Sequence, residues 1–92
     1  MLITDSSREV YKQTELLKNS GKTVGFVPTM GALHRGHISL IEECKKECDY
    51  TVVSVFVNPT QFNDKDDYSR YPRVPEKDSI MLQQAGCDLV FM

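Results

Sequence analysis

Residues 50–57, Tyr-Thr-Val-Val-Ser-Val-Phe-Val, are the stretch that most restricts what this chain can fold into. β-Branched and aromatic side chains fill it almost without a break, and they favour a pleated, extended backbone over a helix. A strand with one wet face alternates apolar and polar residues, and this run does not. It suits a strand covered on both faces, as in a parallel sheet clothed by helices. Shorter strand-like runs occupy residues 23–27 and 88–92, with helical patterns between the three. Parallel neighbours need long crossovers, so the alternation predicts an α/β fold. The expected form is a three-layer half-Rossmann unit, β-α-β-α-β, with a parallel sheet and truncated after its third strand.

The punctuation supports this layout. Ser6-Ser7-Arg8-Glu9 reads as a capping box that opens a first helix, and Asn19-Ser20-Gly21 closes it. Pro28 is expected to stop the first strand. A helix over residues 36–47 would place Leu40, Ile41, Cys44 and Cys48 on an apolar stripe, with Glu42, Glu43, Lys45, Lys46 and Glu47 in water. His37, one turn before Leu40 and Ile41, then points toward the protein body. Residues 63–73 are polar and predict a loop with a short helix capped near Asp64 or Asp66. Pro75 suits a first helical position, and Glu76 and Asp78 suit the positive first turn of a helix ending at Gly86. There is no internal repeat and no low-complexity segment.

Composition narrows the class. Ninety-two residues make one small domain, and 13 acidic against 11 basic residues give a net charge of −2. No basic tract is visible, which argues against a non-specific nucleic-acid or membrane binder. No apolar run approaches a bilayer-spanning length and no signal-peptide pattern opens the chain, so the cytoplasm is the expected compartment. Three cysteines, Cys44, Cys48 and Cys87, cannot all pair within one chain and show no C-x-x-C spacing. They read as small hydrophobes rather than metal ligands.

The chemistry is concentrated in Val27-Pro28-Thr29-Met30-Gly31-Ala32-Leu33-His34-Arg35-Gly36-His37, which holds both histidines of the chain. A strand turning tightly into a helix leaves free backbone N–H groups beside a positive dipole end, a ready anion site. Gly31 and Gly36 allow close backbone approach. His34 and His37 can add hydrogen bonds and positive charge where phosphates would lie, and phosphate proximity would favour the protonated imidazole. The plainer alternative is a capping histidine beside a core histidine. A strand-to-helix turn flanked by glycines and carrying both rings favours phosphate chemistry.

The pattern H-x-G-H resembles the signature of the nucleotidyltransferase superfamily, which includes the class I aminoacyl-tRNA synthetases. Further on, V-S-V-F-V-N-P-x-Q-F ends with Asn58-Pro59-Thr60-Gln61-Phe62, and Tyr71-Pro72-Arg73 follows. Taken with P-T-M-G-A-L-H-x-G-H, these motifs are similar to the N-terminal part of the pantoate–β-alanine ligase family, over residues 21–92. The resemblance implies an ATP-dependent condensation of pantoate with β-alanine through pantoyl adenylate, releasing pyrophosphate and then AMP.

It also implies roles for residues. Met30, Gly31, Ala32, Leu33, His34, Arg35, Gly36 and His37 would form the ATP site, with Arg35 turned to solvent. His34 and His37 would act on the phosphates, and His37 is the family's usual candidate for proton donor. A buried Gln61 would bind pantoate, helped by Asn58, Tyr71, Pro28 and Thr29. For Asn58 and Gln61 the plainer reading is turn chemistry and a surface amide; for Tyr71 it is an aromatic anchor. Mg2+ would ride mainly on the ATP phosphates, with no protein metal ligand assigned; Asp78 and Glu76 could meet its water shell, although helix electrostatics already accounts for both.

Family members are considerably longer, so the resemblance implies an N-terminal fragment, residues 1–92, without the C-terminal domain and inactive alone. The family's dimers, and the unpaired edge expected at residues 23–27, imply a homodimer. Two other readings stay open: another H-x-G-H nucleotidyltransferase, and a non-catalytic association module.

Overall fold

The β-branched run at the centre of the sequence becomes the strand that organises the molecule. In a computed structural model describing residues 1–92, β1 (Leu2–Thr4), α1 (Ser7–Asn19), β2 (Val24–Thr29), α2 (Arg35–Glu47) and β3 (Tyr50–Val55) follow one another. A short 3₁₀ turn (Pro59–Gln61), α3 (Lys65–Arg70), α4 (Pro75–Ala85) and β4 (Leu89–Phe91) complete the chain. The four strands form one parallel sheet in the order β1-β4-β3-β2.

Register explains the core. Val27, Val53 and Val90 sit side by side across β2, β3 and β4. They join Ile41 of α2, Leu82 of α4, Leu33 and Cys87 in one buried cluster. The alternate residues Val52 and Leu89 are also registered and buried, so β3 and β4 are covered on both faces as the unbroken run requires. The chain steps from β1 to β2 in one direction and from β2 through β3 to β4 in the other. Right-handed crossovers therefore put α1 on the opposite face from α2 and α4.

Four expectations are corrected. The sheet has a fourth strand: β1 pairs with β4 outside the three strands the sequence predicts. Three residues carry too little pattern to be read as a strand, and only the tertiary partner makes them one. Pro28 does not stop β2, which continues to Thr29 with Pro28 paired to Ser54. An edge strand tolerates a missing N–H because one side has no ladder to serve.

The capping box is half made: Ser6 Oγ accepts from Glu9 N–H, but the Glu9 carboxylate accepts from Gln13 and the Ser6 N–H goes to Thr4 Oγ1. Leu40 leaves the expected stripe, 59 % exposed beside the open edge of β2, and Ile38 packs on the core instead. The three cysteines are free. Cys87 is in the core, and Cys44 and Cys48 are half-buried at the end of α2. No helix is long and apolar enough to cross a membrane.

Candidate active site

The strands end together at one side of the sheet, and the segments following β2 and β3 meet there. In open parallel α/β sheets this carboxyl side is where ligands bind. An open cavity of about 440 Å³ lies there. Pro28, Thr29, Met30 and His37 line it from the first segment, and Asn58, Gln61 and Tyr71 line it from the second. Seven residues singled out in the sequence, up to 43 positions apart, thus share one cavity. Ser54 and Phe56 also line it, and neither was singled out. Their signal was position alone, at the carboxyl end of the central strand.

The turn after β2 is built differently from the expected anion cradle. Gly31 and Ala32 both have positive φ, +83° and +49°. The free N–H groups expected there are already used. Gly31 N–H donates to Thr29 Oγ1 at 3.2 Å, Ala32 N–H to Asp78 Oδ2 at 3.0 Å, and Leu33 N–H to Asp78 Oδ1 at 2.9 Å. Leu33, expected in the ATP site, has its side chain in the core. Asp78 is not a surface acid explained by helix electrostatics: it is 2 % exposed and closes this turn from 45 residues away.

The two histidines cap the helix that follows. His34 is the N-cap of α2, and its Nδ1 accepts from Gly36 N–H at 3.0 Å. His37 Nδ1 reaches back to accept from the His34 N–H at 3.1 Å, so two imidazoles make a reciprocal capping box. Their ring centroids are 4.2 Å apart. Both Nδ1 atoms act as acceptors, so each neutral ring carries its proton on Nε2, on the side away from the cap. Gly36 is needed for this packing, because a Cβ there would lie 2.8 Å from His34 Cε1. His37 is half-buried in the cavity wall, and His34 and Arg35 are exposed.

The His37 pKa lies below its ordinary value of 6.5, chiefly through burial and then through the neighbouring His34, with Asp78 opposing. Without a phosphate beside it, His37 therefore takes up a proton less readily than a free imidazole.

The second wall is held by short-range bonds. Asn58 Oδ1 accepts from Thr60 N–H at 3.0 Å and from Thr60 Oγ1 at 2.7 Å, capping the 3₁₀ turn that carries Gln61. Turn chemistry thus accounts for Asn58, which also lines the cavity. Gln61 is exposed rather than buried. Asp64 caps α3 through the Asp66 N–H. Phe62 meets Tyr68 and Tyr71 edge to face, at 5.6 and 5.8 Å between centroids. Arg73 donates to the Tyr68 and Tyr71 carbonyls and lies 5.0 Å from the centre of the Tyr68 ring. Tyr71 is both anchor and cavity wall, and its hydroxyl donates weakly to the Gly31 carbonyl at 3.5 Å.

Comparison with known proteins identifies relatives along the whole chain. The family model for pantoate-beta-alanine ligase matches residues 2–92. A pantothenate synthetase from Porphyromonas gingivalis is 57 % identical over 91 residues, covering 91 % of this chain and 32 % of the relative. The crystal structure of a pantothenate synthetase from Thermus thermophilus superposes with a TM-score of 0.83 at 48 % identity, over 99 % of this chain and 31 % of that one. A Francisella tularensis pantoate-beta-alanine ligase, solved with beta-gamma ATP and beta-alanine, gives a TM-score of 0.83 at 46 % identity, over 98 % and 34 %. The chain spans about a third of the length of these relatives. A family model that matches residues 2–92, relatives about half identical and a shared fold lead to one conclusion: the chain belongs to the pantoate-beta-alanine ligase family.

Proposed function

We propose that this chain supplies the nucleotide-binding wall of a cytoplasmic, ATP-dependent ligase that condenses pantoate with β-alanine. The observation that carries the reading is the convergence of the histidine turn and the Gln61 segment on one cavity. The Francisella relative, described with beta-gamma ATP and beta-alanine, supports the same substrates here.

In this reading a pantoate carboxylate oxygen attacks the α-phosphorus of ATP, the bond to pyrophosphate breaks, and pantoyl adenylate forms. The amine of β-alanine then attacks the acyl carbon and expels AMP. A carboxylate is a poor acyl donor and AMP a good leaving group, so the protein needs no covalent nucleophile. It has to position the partners and stabilise developing charge.

The two Nε2–H groups suit that task as neutral donors to phosphate oxygens. Neutral rings keep the reciprocal cap, whereas a proton on either Nδ1 would oppose a backbone N–H. With the turn's own N–H groups committed to Thr29 and Asp78, the side chains of His34 and His37 carry the phosphate role. Met30 lines the same wall. Gln61, with two donors and an acceptor in its amide, is placed to hold the pantoate hydroxyl and carboxylate, with Tyr71, Asn58, Pro28 and Thr29 shaping that end. No group of three or more His, Cys, Asp or Glu converges in the chain, and Asp78 is occupied by backbone. These residues do not fit a protein cage for Mg2+, and no step is assigned to it.

We extend the proposal to a homodimer. β2 ends the sheet unpaired, and beside it Phe26 and Leu40 are 60 % and 59 % exposed. An open edge with an apolar flank invites pairing. A strictly monomeric mass in sedimentation at high concentration would overturn that part.

Pantoate-dependent exchange of pyrophosphate into ATP tests the reaction, run on this chain and on the same chain continued to its relatives' length. The longer protein should exchange only when pantoate is present, and the 92-residue chain should not exchange measurably. Exchange indifferent to pantoate would overturn the ligase reading in favour of another nucleotidyl transfer. Robust pantothenate formation by the 92-residue chain alone would show that one wall is enough.

A further inference from the structure

We propose that Asp78 is a positioning residue: its buried carboxylate fixes the left-handed turn at Gly31 and Ala32 and, through it, the orientation of the His34–His37 imidazole pair. The functional half of this proposal rests on the ligase reading above; the structural half does not.

A carboxylate that is 2 % exposed is costly to keep unless its oxygens are satisfied. The ion pair of this chain, Lys46–Glu43, lies elsewhere on the surface, so no cation explains Asp78. Each of its oxygens instead takes a different N–H of the turn, Ala32 on Oδ2 and Leu33 on Oδ1. The acceptor is matched to an unusual backbone. Ala32 carries a side chain at φ +49°, a conformation such residues rarely adopt, directly after Gly31 at +83°. The fit is close as well as polar, since a Cβ on Gly31 would lie 3.1 Å from Asp78 Oδ2 and 3.1 Å from Val55 Cγ1.

The turn leads straight into the cap. Leu33, whose N–H is held, precedes His34, whose backbone N–H and Nδ1 join the two rings to the first turn of α2. Asp78 stands on α4, so the packing of α4 sets where the imidazoles point. Its negative charge also faces His37, where it opposes the effects of burial and of His34. Stabilisation of a helix N-terminus would account for an exposed acid in the first turn of α4. It does not account for a buried one with each oxygen bonded to a different amide of another segment.

Asp78→Asn is the informative variant, because it keeps the shape, removes the charge and turns an NH₂ toward one of the two N–H donors. The chain continued to its relatives' length is studied by NMR, following amide exchange at Ala32 and Leu33 and the ring nitrogens of both histidines. In the unaltered protein both amides should be strongly protected and both rings should show the Nε2–H tautomer. In Asp78→Asn that protection should fall, the Nε2–H tautomer should no longer dominate, and His37 should titrate at lower pH.

The turnover of pantoate-dependent exchange should drop about 100-fold with the pantoate KM little changed, the scale expected for an ångström-level misplacement of reacting groups. A merely structural role would reduce the folded fraction, while the molecules that remain folded keep the Nε2–H tautomer and native turnover; loss of the charge alone lowers the His37 titration in either case. Freely exchanging Ala32 and Leu33 amides in the unaltered protein would overturn the proposal even if the variant did not fold. So would native ring signals and native turnover in Asp78→Asn. If the unaltered enzyme shows no pantoate-dependent exchange, the ligase reading fails, and the NMR comparison still decides the role of Asp78.

Discussion

The two segments that wall the cavity solve the same problem in opposite ways. The turn after β2 is short, contains two left-handed residues, and is tied to α4 by a buried carboxylate 45 residues away in sequence. The segment after β3 is long and holds itself by neighbours: Asn58 to Thr60, Asp64 to Asp66, Arg73 to Tyr68 and Tyr71. None of the residues of its 3₁₀ turn or of α3 is buried. One wall is therefore anchored to α4 by its backbone, as the proposed charge stabilisation would require. The other, with no residue of its 3₁₀ turn or α3 buried, costs less to rearrange. The difference teaches that in this site preorganisation comes from a long-range bond, not from the glycine-rich turn itself.

The largest test of the comparison is at the rigid wall. In the chain continued to its relatives' length, and on the proposed ligase reading, His37→Ala or His34→Ala should lower kcat by about 10²–10³-fold, as for loss of one preorganised donor, with the pantoate KM little affected. Near-normal turnover in steady-state assays would remove the phosphate role from this turn. The adaptable wall should respond in the opposite sense. Gln61→Ala should raise the pantoate KM by about five- to tenfold, the value of one or two lost hydrogen bonds, and leave kcat nearly unchanged. A kcat effect as large as that of the histidines would erase the distinction between the walls.

Arg73→Ala removes two bonds to carbonyls and a contact with the Tyr68 ring. It should destabilise the protein by about 1 kcal/mol at most in denaturant unfolding. Hydrogen exchange should quicken across α3 while the amides of Ala32 and Leu33 stay protected; parallel loss at both walls would mean that they form one unit.

Acid sharpens the contrast further. The folded His37 pKa is below 6.5, so the unfolded chain binds the proton more readily. The contribution to stability is complete above pH 6.5 and is lost as pH falls through the folded value. Amide exchange measured down that range should show the cap of α2 opening before the Asp64 cap of α3. The smallest effect belongs to Tyr71→Phe, which deletes a 3.5 Å bond of marginal strength. It should change stability by less than about 0.5 kcal/mol by the same unfolding measurement.

Much of this molecule was legible in one dimension, for reasons that are local. The unbroken run at residues 50–57 declares a strand covered on both faces whatever surrounds it. Asp64, Pro75 and Gly86 punctuate helices through backbone preferences that act within a few residues, and each stands where expected. The H-x-G-H spacing put two rings at a helix start, and the motif order put Gln61 and Tyr71 at the same end of the sheet.

Tertiary structure alone decided the rest. β1 is a strand only because β4 offers it a partner, and Pro28 is tolerated because β2 lies at the edge. Asp78 could be read from sequence as a first-turn acid like Glu76, yet packing buries one and leaves the other in water. With that burial the turn's N–H groups form an internal clamp rather than an open cradle, and the Nε2 atoms of the two capping rings are left on the side away from the cap. Propensity and spacing are properties of neighbours along the chain, whereas burial and hydrogen-bond ownership depend on which distant segment arrives first at a given atom.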